Sequence, residues 1–150
     1  MREFAVSDAG ITVLGATTLV FINPDAAPAM NLEFLRAWVG QTANATSAQQ
    51  RVEIETQVTV FPTLTSATPA ALKRADAVSN IVGGTAGAAG TAGTNASVEG
   101  AGAKTSVWED AFNVLNGWLW VPTPPETVVM NASAASGFGL HLPVAAATLT

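Results

Sequence analysis

The stretch from Arg51 to Phe61 constrains this chain more than any other. Val52, Ile54, Val58 and Val60 share one side with Thr56, while Arg51, Glu53, Glu55, Gln57 and Thr59 share the other. A period of two over this length is the signature of a β-strand with one face in a core and one in water. Its neighbours read the same way. Phe4 and Val6, Ile11 and Val13, and Leu19 and Phe21 form short apolar pairs separated by Ser7-Asp8-Ala9-Gly10 and Gly15-Ala16. Trp108, Phe112 and Val114 alternate with Glu109, Ala111 and Asn113, and the Asn116-Gly117 pair before Trp118-Leu119-Trp120-Val121 predicts a hairpin. Val128 to Met130, then Phe138, Leu140 and Leu142, then Val144 to Thr150 supply the last strands.

Met30 to Gln41 also alternates and is taken as a strand, although its Leu, Ala and Arg content tolerates a helix. Thr46 to Gln50 is read as a helical turn, and Ala70 to Val78, after Pro69, as a short helix. From Gly83 to Gly102 the residues are almost all Gly, Ala, Thr, Ser and Asn, with Val98 the one larger aliphatic. This tract is assigned as a long loop, mobile in the free protein and tolerant of deletion between Gly87 and Gly93. Eight or so short strands between turns suggest an all-β fold of the β-sandwich or jelly-roll class, one domain over residues 1–150.

Composition narrows the chemistry. Six basic against 11 acidic residues leave a net charge of −5, the wrong sign for a surface that neutralises phosphates, so nucleic acid is not an expected partner. No apolar run is long enough for a membrane span, and the start lacks a basic-then-apolar leader pattern. With no cysteine there is neither disulfide nor thiolate, and with one histidine and no tyrosine little remains for acid–base work near neutral pH. No cofactor, metal or enzymatic activity is expected.

Several individual residues have a chemical reading beside a plain one. Glu53 and Glu55 have the spacing of a glycosidase pair on one strand face, but the ordinary reading is a solvated face. Asp110 lies in phase with Trp108 and Phe112 and is better explained by a local donor or a sheet edge than by catalysis. Gly102-Ala103-Lys104-Thr105 lacks the Gly before Lys that a phosphate loop requires. His141 falls opposite Phe138, Leu140 and Leu142 and is placed at the surface or at a subunit contact. Trp118 and Trp120 share a face that would suit stacking on sugar rings, but packing is the plainer use. Trp38, Trp108, Phe112, Trp118, Trp120 and His141 are the interface candidates.

The run Phe112-Asn113-Val114-Leu115-Asn116-Gly117-Trp118-Leu119-Trp120-Val121-Pro122-Thr123-Pro124-Pro125-Glu126 resembles a segment of the small virion proteins that decorate, or cement, tailed-bacteriophage capsids. Met1-Arg2-Glu3-Phe4 and Leu35-Arg36-Ala37-Trp38-Val39-Gly40-Gln41 are similar to other parts of the same proteins. Together these stretches cover less than a third of the chain. The resemblance implies a β-rich homotrimer on the virion surface, bound to the shell of the major capsid protein, and it carries over no site residues. The alternative is a carbohydrate-binding head-fibre or host-attachment module that uses Trp118 and Trp120.

Overall fold

The computed structural model describes residues 4–8, 13, 15–24, 31–41, 46–67, 71–72, 82–83, 91–130 and 136–144. The alternating run forms the long strand β5 (Gln49–Val58), flanked by β10 (Lys104–Asn113) and β13 (Ser136–Leu142). The sheet continues through β2 (Thr17–Asn23), β9 (Thr91–Val98) and β6 (Thr63–Ala67), giving the order β10-β5-β13-β2-β9-β6. A seventh strand, β8 (Val82–Gly83), pairs in parallel with the start of β9, and the other pairings between described strands are antiparallel. Three two-strand ribbons and one 3-10 turn (Pro124–Glu126) complete the described elements; the ribbons are β1 (Phe4–Ala5) with β7 (Ala71–Leu72), β4 (Ala37–Val39) with β11 (Trp118–Trp120), and β3 (Leu32–Phe34) with β12 (Val128–Met130). The fold is all-β.

The ribbons β4–β11 and β3–β12 pack on one face of the sheet. Val52, Ile54, Phe112, Leu140 and Leu142 from the sheet share a buried cluster with Ala37, Trp118 and Trp120 from the ribbon. The Trp120 ring lies 6.1 Å from Trp108 and 5.4 Å from Phe34, and Phe34 meets Phe138 edge-on at 5.1 Å. Burying such large rings supplies much of the apolar driving force in a chain without disulfides.

Several expectations change. The tract 83–102, taken as a loop, contains the end of β8 and all of β9, which lies inside the sheet with Thr91, Ala92, Gly93 and Thr94 buried, while residues 84–90 lie outside the described residues. Small side chains suit a strand whose pleat is crowded on both faces, so lack of bulk did not mean lack of structure. Deletion of Gly87 to Gly93 would therefore remove the first residues of a sheet strand. Asn116-Gly117 does not close a hairpin between β10 and β11. Asn113 accepts the Leu115 and Asn116 amides in a turn, Gly117 takes φ +69°, and β11 crosses over to pair with β4. The 30–41 stretch is two strands, β3 and β4, interrupted at Leu35-Arg36, and Gln49 and Gln50, expected in a helical turn, open β5. Of the helix placed at 70–78, only Ala71 and Leu72 are described, as strand β7, and the rest lies outside the described residues.

Candidate functional site

The sheet face turned away from the ribbons carries the polar chemistry. Along β5 it presents Arg51, Glu53, Glu55 and Gln57. The Arg51 end is in water, where the guanidinium pairs with Glu53 at 2.9 Å and Glu109 at 2.8 Å. At the other end Glu55 is only 2% exposed and Gln57 is fully buried, so the face expected to be solvated is covered there.

Two short segments do the covering. Residues 59–62 follow β5, and 99–103 link β9 to β10. They cross so closely that a Cβ on Gly100 would stand 2.3 Å from Val60 O, and one on Gly102 would stand 2.1 Å from Val58 O. The crossing is held by Gly102 N–H to Val60 O at 2.9 Å and Val58 N–H to Ala103 O at 3.0 Å. The buried Gln57 amide donates to Val60 O at 2.8 Å and to Gly100 O at 3.0 Å. Glu99 and Lys104 bracket this crossing and are thereby carried onto the sheet face above Glu55.

Two β-bulges complete the assembly. In β10 the register slips between Ser106, opposite Glu55, and Trp108, opposite Ile54. Val107 is the extra residue, and it places Lys104 and Ser106 on the polar face while Trp108, Asp110 and Phe112 stay on the core face. In β2 the slip against Leu140 and His141 makes Leu19 the extra residue, pairing Thr18 with His141 and Val20 with Leu140. Thr18 and Phe21 therefore share the polar face: a Cβ on Gly139 would lie 3.2 Å from Thr18 Cγ2 and 3.0 Å from Phe21 Cδ2. Bulges re-aim side chains in this way next to functional sites.

The result is a compact cluster. Glu99 Oε1 accepts the Thr18 N–H at 2.5 Å, and Glu99 Oε2 accepts the Thr18 hydroxyl at 2.7 Å and the Lys104 ammonium at 2.8 Å. Lys104 Nζ also stands 3.2 Å from Glu55 Oε1. His141 Nδ1 is 3.2 Å from Thr18 Oγ1 and 3.7 Å from Glu99 Oε2. Because the Thr18 proton is committed to Glu99, the contact to Thr18 assigns the His141 proton to Nδ1.

Electrostatics divides the two carboxyls. Burial raises the Glu55 pKa, and Lys104 offsets only part of that rise. Burial pushes Glu99 upward too, but the hydrogen bonds from Lys104 and Thr18 outweigh it and hold Glu99 below its ordinary value. Burial opposes the Lys104 charge, yet Glu99 and Glu55 keep its pKa raised. His141 is lowered by burial and by Lys104, against an opposing pull from Glu99, so the ring is neutral near pH 7. This group is not a nucleophilic relay. Such a relay sets the nucleophile and the carboxylate on opposite ring nitrogens, whereas Thr18 and Glu99 both approach Nδ1.

The candidates singled out in the sequence fall elsewhere or change character. Phe112, Trp118 and Trp120 are buried within the protein's own core, Trp108 is half-buried beside Trp120, and Trp38 alone of the six is exposed. The ring faces proposed for sugar stacking on Trp118 and Trp120 are thus already covered. His141, expected at the surface or at a subunit contact, is buried in the polar cluster of its own chain. Asp110 accepts the Trp118 indole N–H at 3.0 Å, which accounts for a carboxylate on the core side of an edge strand. Thr18, Glu99 and Lys104 were missed; the readable signal was a pair of opposite charges bracketing Gly100-Ala101-Gly102-Ala103.

A second feature lies on the outer side of the ribbons. Trp38 is 54% exposed and Leu119 is 65% exposed, and the two are direct cross-strand partners in β4–β11. The Arg36 guanidinium sits 5.5 Å from the Trp38 ring centroid. Val121 and Val129 are also exposed, and among the described residues no helix is long and apolar enough to cross a membrane. No protein-family model matches the chain, and no curated protein or solved structure matches it either.

Proposed function

We propose that this protein is a structural component of a virion that decorates and stabilises the outer surface of a bacteriophage capsid, binding the shell of the major capsid protein as a homotrimer. We assign it to the β-sandwich class of jelly-roll type. One observation carries the reading. The two stretches that resemble decoration proteins, Leu35–Gln41 and Phe112–Glu126, are about 80 positions apart in sequence, yet they meet as the β4–β11 ribbon, with Trp38 opposite Leu119. One side of that ribbon is core, and the other presents Trp38 and Leu119 to solvent. Exposed aromatic and aliphatic side chains on a rigid backbone are what a binding surface requires, since they are desolvated on contact at little entropic cost.

The test is retention on capsids. Purified protein added to undecorated shells should bind in stoichiometric amount and should run as a trimer in light scattering. Replacing Trp38 and Leu119 by Ser should abolish retention while the circular dichroism spectrum stays β-type. A protein that remains monomeric at high concentration and does not bind shells would overturn the reading.

A further inference from the structure

We propose that Glu55, Glu99 and His141 form a binding site for a divalent transition-metal ion such as Zn2+, which takes the position held by the Lys104 ammonium when no metal is bound. One ligand atom from each of the three lies within 4.8 Å of the other two. Carboxylate oxygens and imidazole nitrogens bind Zn2+ at about 2.0–2.2 Å, so side-chain movements on the order of 1 Å would bring this set together. Two carboxylates with one imidazole suit a borderline ion better than a purely hard one.

Charge and hydrogen bonding each favour a cation of higher charge at this position. Two carboxylates face a single ammonium, leaving an excess negative charge where Glu55 is almost wholly out of water. Glu55 Oε1 meets the Lys104 ammonium at 3.2 Å and no other donor among the described residues, while the Glu99 and Glu53 carboxyls add like charge beside it. Gln57 Oε1, on the same face two residues along, is also buried without a donor. A buried carboxylate is costly unless it is fully paired or bound to metal. A dication would neutralise both glutamates.

The surroundings are already arranged for such an ion. Glu99 is oriented by the Thr18 N–H and hydroxyl, the kind of outer support that fixes a metal ligand. The His141 ring is held against Thr18 by the β2 bulge. Binding through Nδ1 requires its proton to move to Nε2, a change of tautomer that leaves the ring neutral. Lys104 can exchange its two carboxylate partners for water, because its side chain is 26% exposed and its flexible stem springs from the first residue of β10. Metal and ammonium therefore compete for one position, and the ion would tie β5 and β13 to the 99–104 crossing.

Isothermal titration with ZnCl2, with bound zinc counted by atomic emission, tests this. The parent should take up one Zn2+ per chain. Lys104→Met should bind about tenfold or more tightly, because a competing charge is removed. Glu55→Gln and His141→Gln should each lose about tenfold or more. Uptake that is unchanged in both of these variants would place the zinc elsewhere and overturn the assignment, as would a folded Lys104→Met protein that takes none up to about 1 mM, a very weak affinity. If Lys104→Met does not fold without metal, refolding with ZnCl2 decides: recovery supports the site and failure overturns it.

Discussion

Replacing Gly102 by Ala should be among the most damaging one-carbon changes in this protein. The added Cβ would stand 2.1 Å from Val58 O, 2.7 Å from Val60 O and 2.9 Å from Val60 N, all of them backbone atoms. Real Cβ contacts do not fall below 3.0 Å, so one of the crossing segments must retreat by at least 0.9 Å, the difference between 3.0 and 2.1. Overpacking of this kind costs about 1–3 kcal/mol. The same retreat stretches the Gly102–Val60 and Ala103–Val58 hydrogen bonds, each worth about 0.5–1.5 kcal/mol net. A partial loss of those bonds brings the total to about 2–4 kcal/mol, which for a chain of this size lowers Tm by about 4–16 °C. The control is Gly40→Ala, because a Cβ there meets nothing within 4 Å and its φ is not in the left-handed region. That variant should be neutral or stabilising by up to about 1 kcal/mol. Urea and thermal unfolding of both variants against the parent give the comparison. If Gly102→Ala unfolds within about 0.5 kcal/mol of the parent, or if Gly40→Ala loses as much as Gly102→Ala, the close crossing is not what holds the cluster together.

The two cluster glutamates should respond to pH in opposite senses when measured with a chelator present. Glu99, held low, stabilises the fold above the ordinary carboxylate range, and that contribution is lost as pH falls through its folded pKa; Glu99→Gln should be destabilised at pH 7, with the gap to the parent closing in acid. Glu55, held high, costs stability once ionised, so Glu55→Gln should match or exceed the parent at pH 7, and a large loss there would contradict the assigned direction. In the core, Trp120→Ala should cost about 3–5 kcal/mol in urea unfolding. Trp118→Phe, which removes the indole donor to Asp110 and shrinks a buried ring, should cost about 2–4 kcal/mol. Trp38→Ser with Leu119→Ser should change stability by no more than about 1 kcal/mol, the worth of one cross-strand pair, so any loss of capsid retention in that variant reports on the surface rather than on the fold.

Local alternation was enough to reveal that this chain is built from strands. The period-two pattern of Val52 and Ile54, and of Trp108 and Phe112, is a direct imprint of the pleat, and those residues do line the core. The failures share a cause. Whether a small-residue tract is loop or sheet depends on what lies beside it, and Thr91–Val98 is a strand because β2, β6 and β8 supply its hydrogen bonds. Whether Asn116-Gly117 closes a hairpin depends on which strand claims β11, and β4 does so from about 80 positions away. The polar cluster was the least legible part. In sequence Lys104 is in phase with the core residues Trp108 and Phe112, and Thr18 is out of phase with Phe21. Only the bulges at Val107 and Leu19 turn both onto the face of Glu55 and His141. A bulge is an adjustment between paired strands, so it leaves no periodicity of its own in either strand. Residue type determined which groups were capable of charge and ligation, and the pairing of distant strands decided that they would meet.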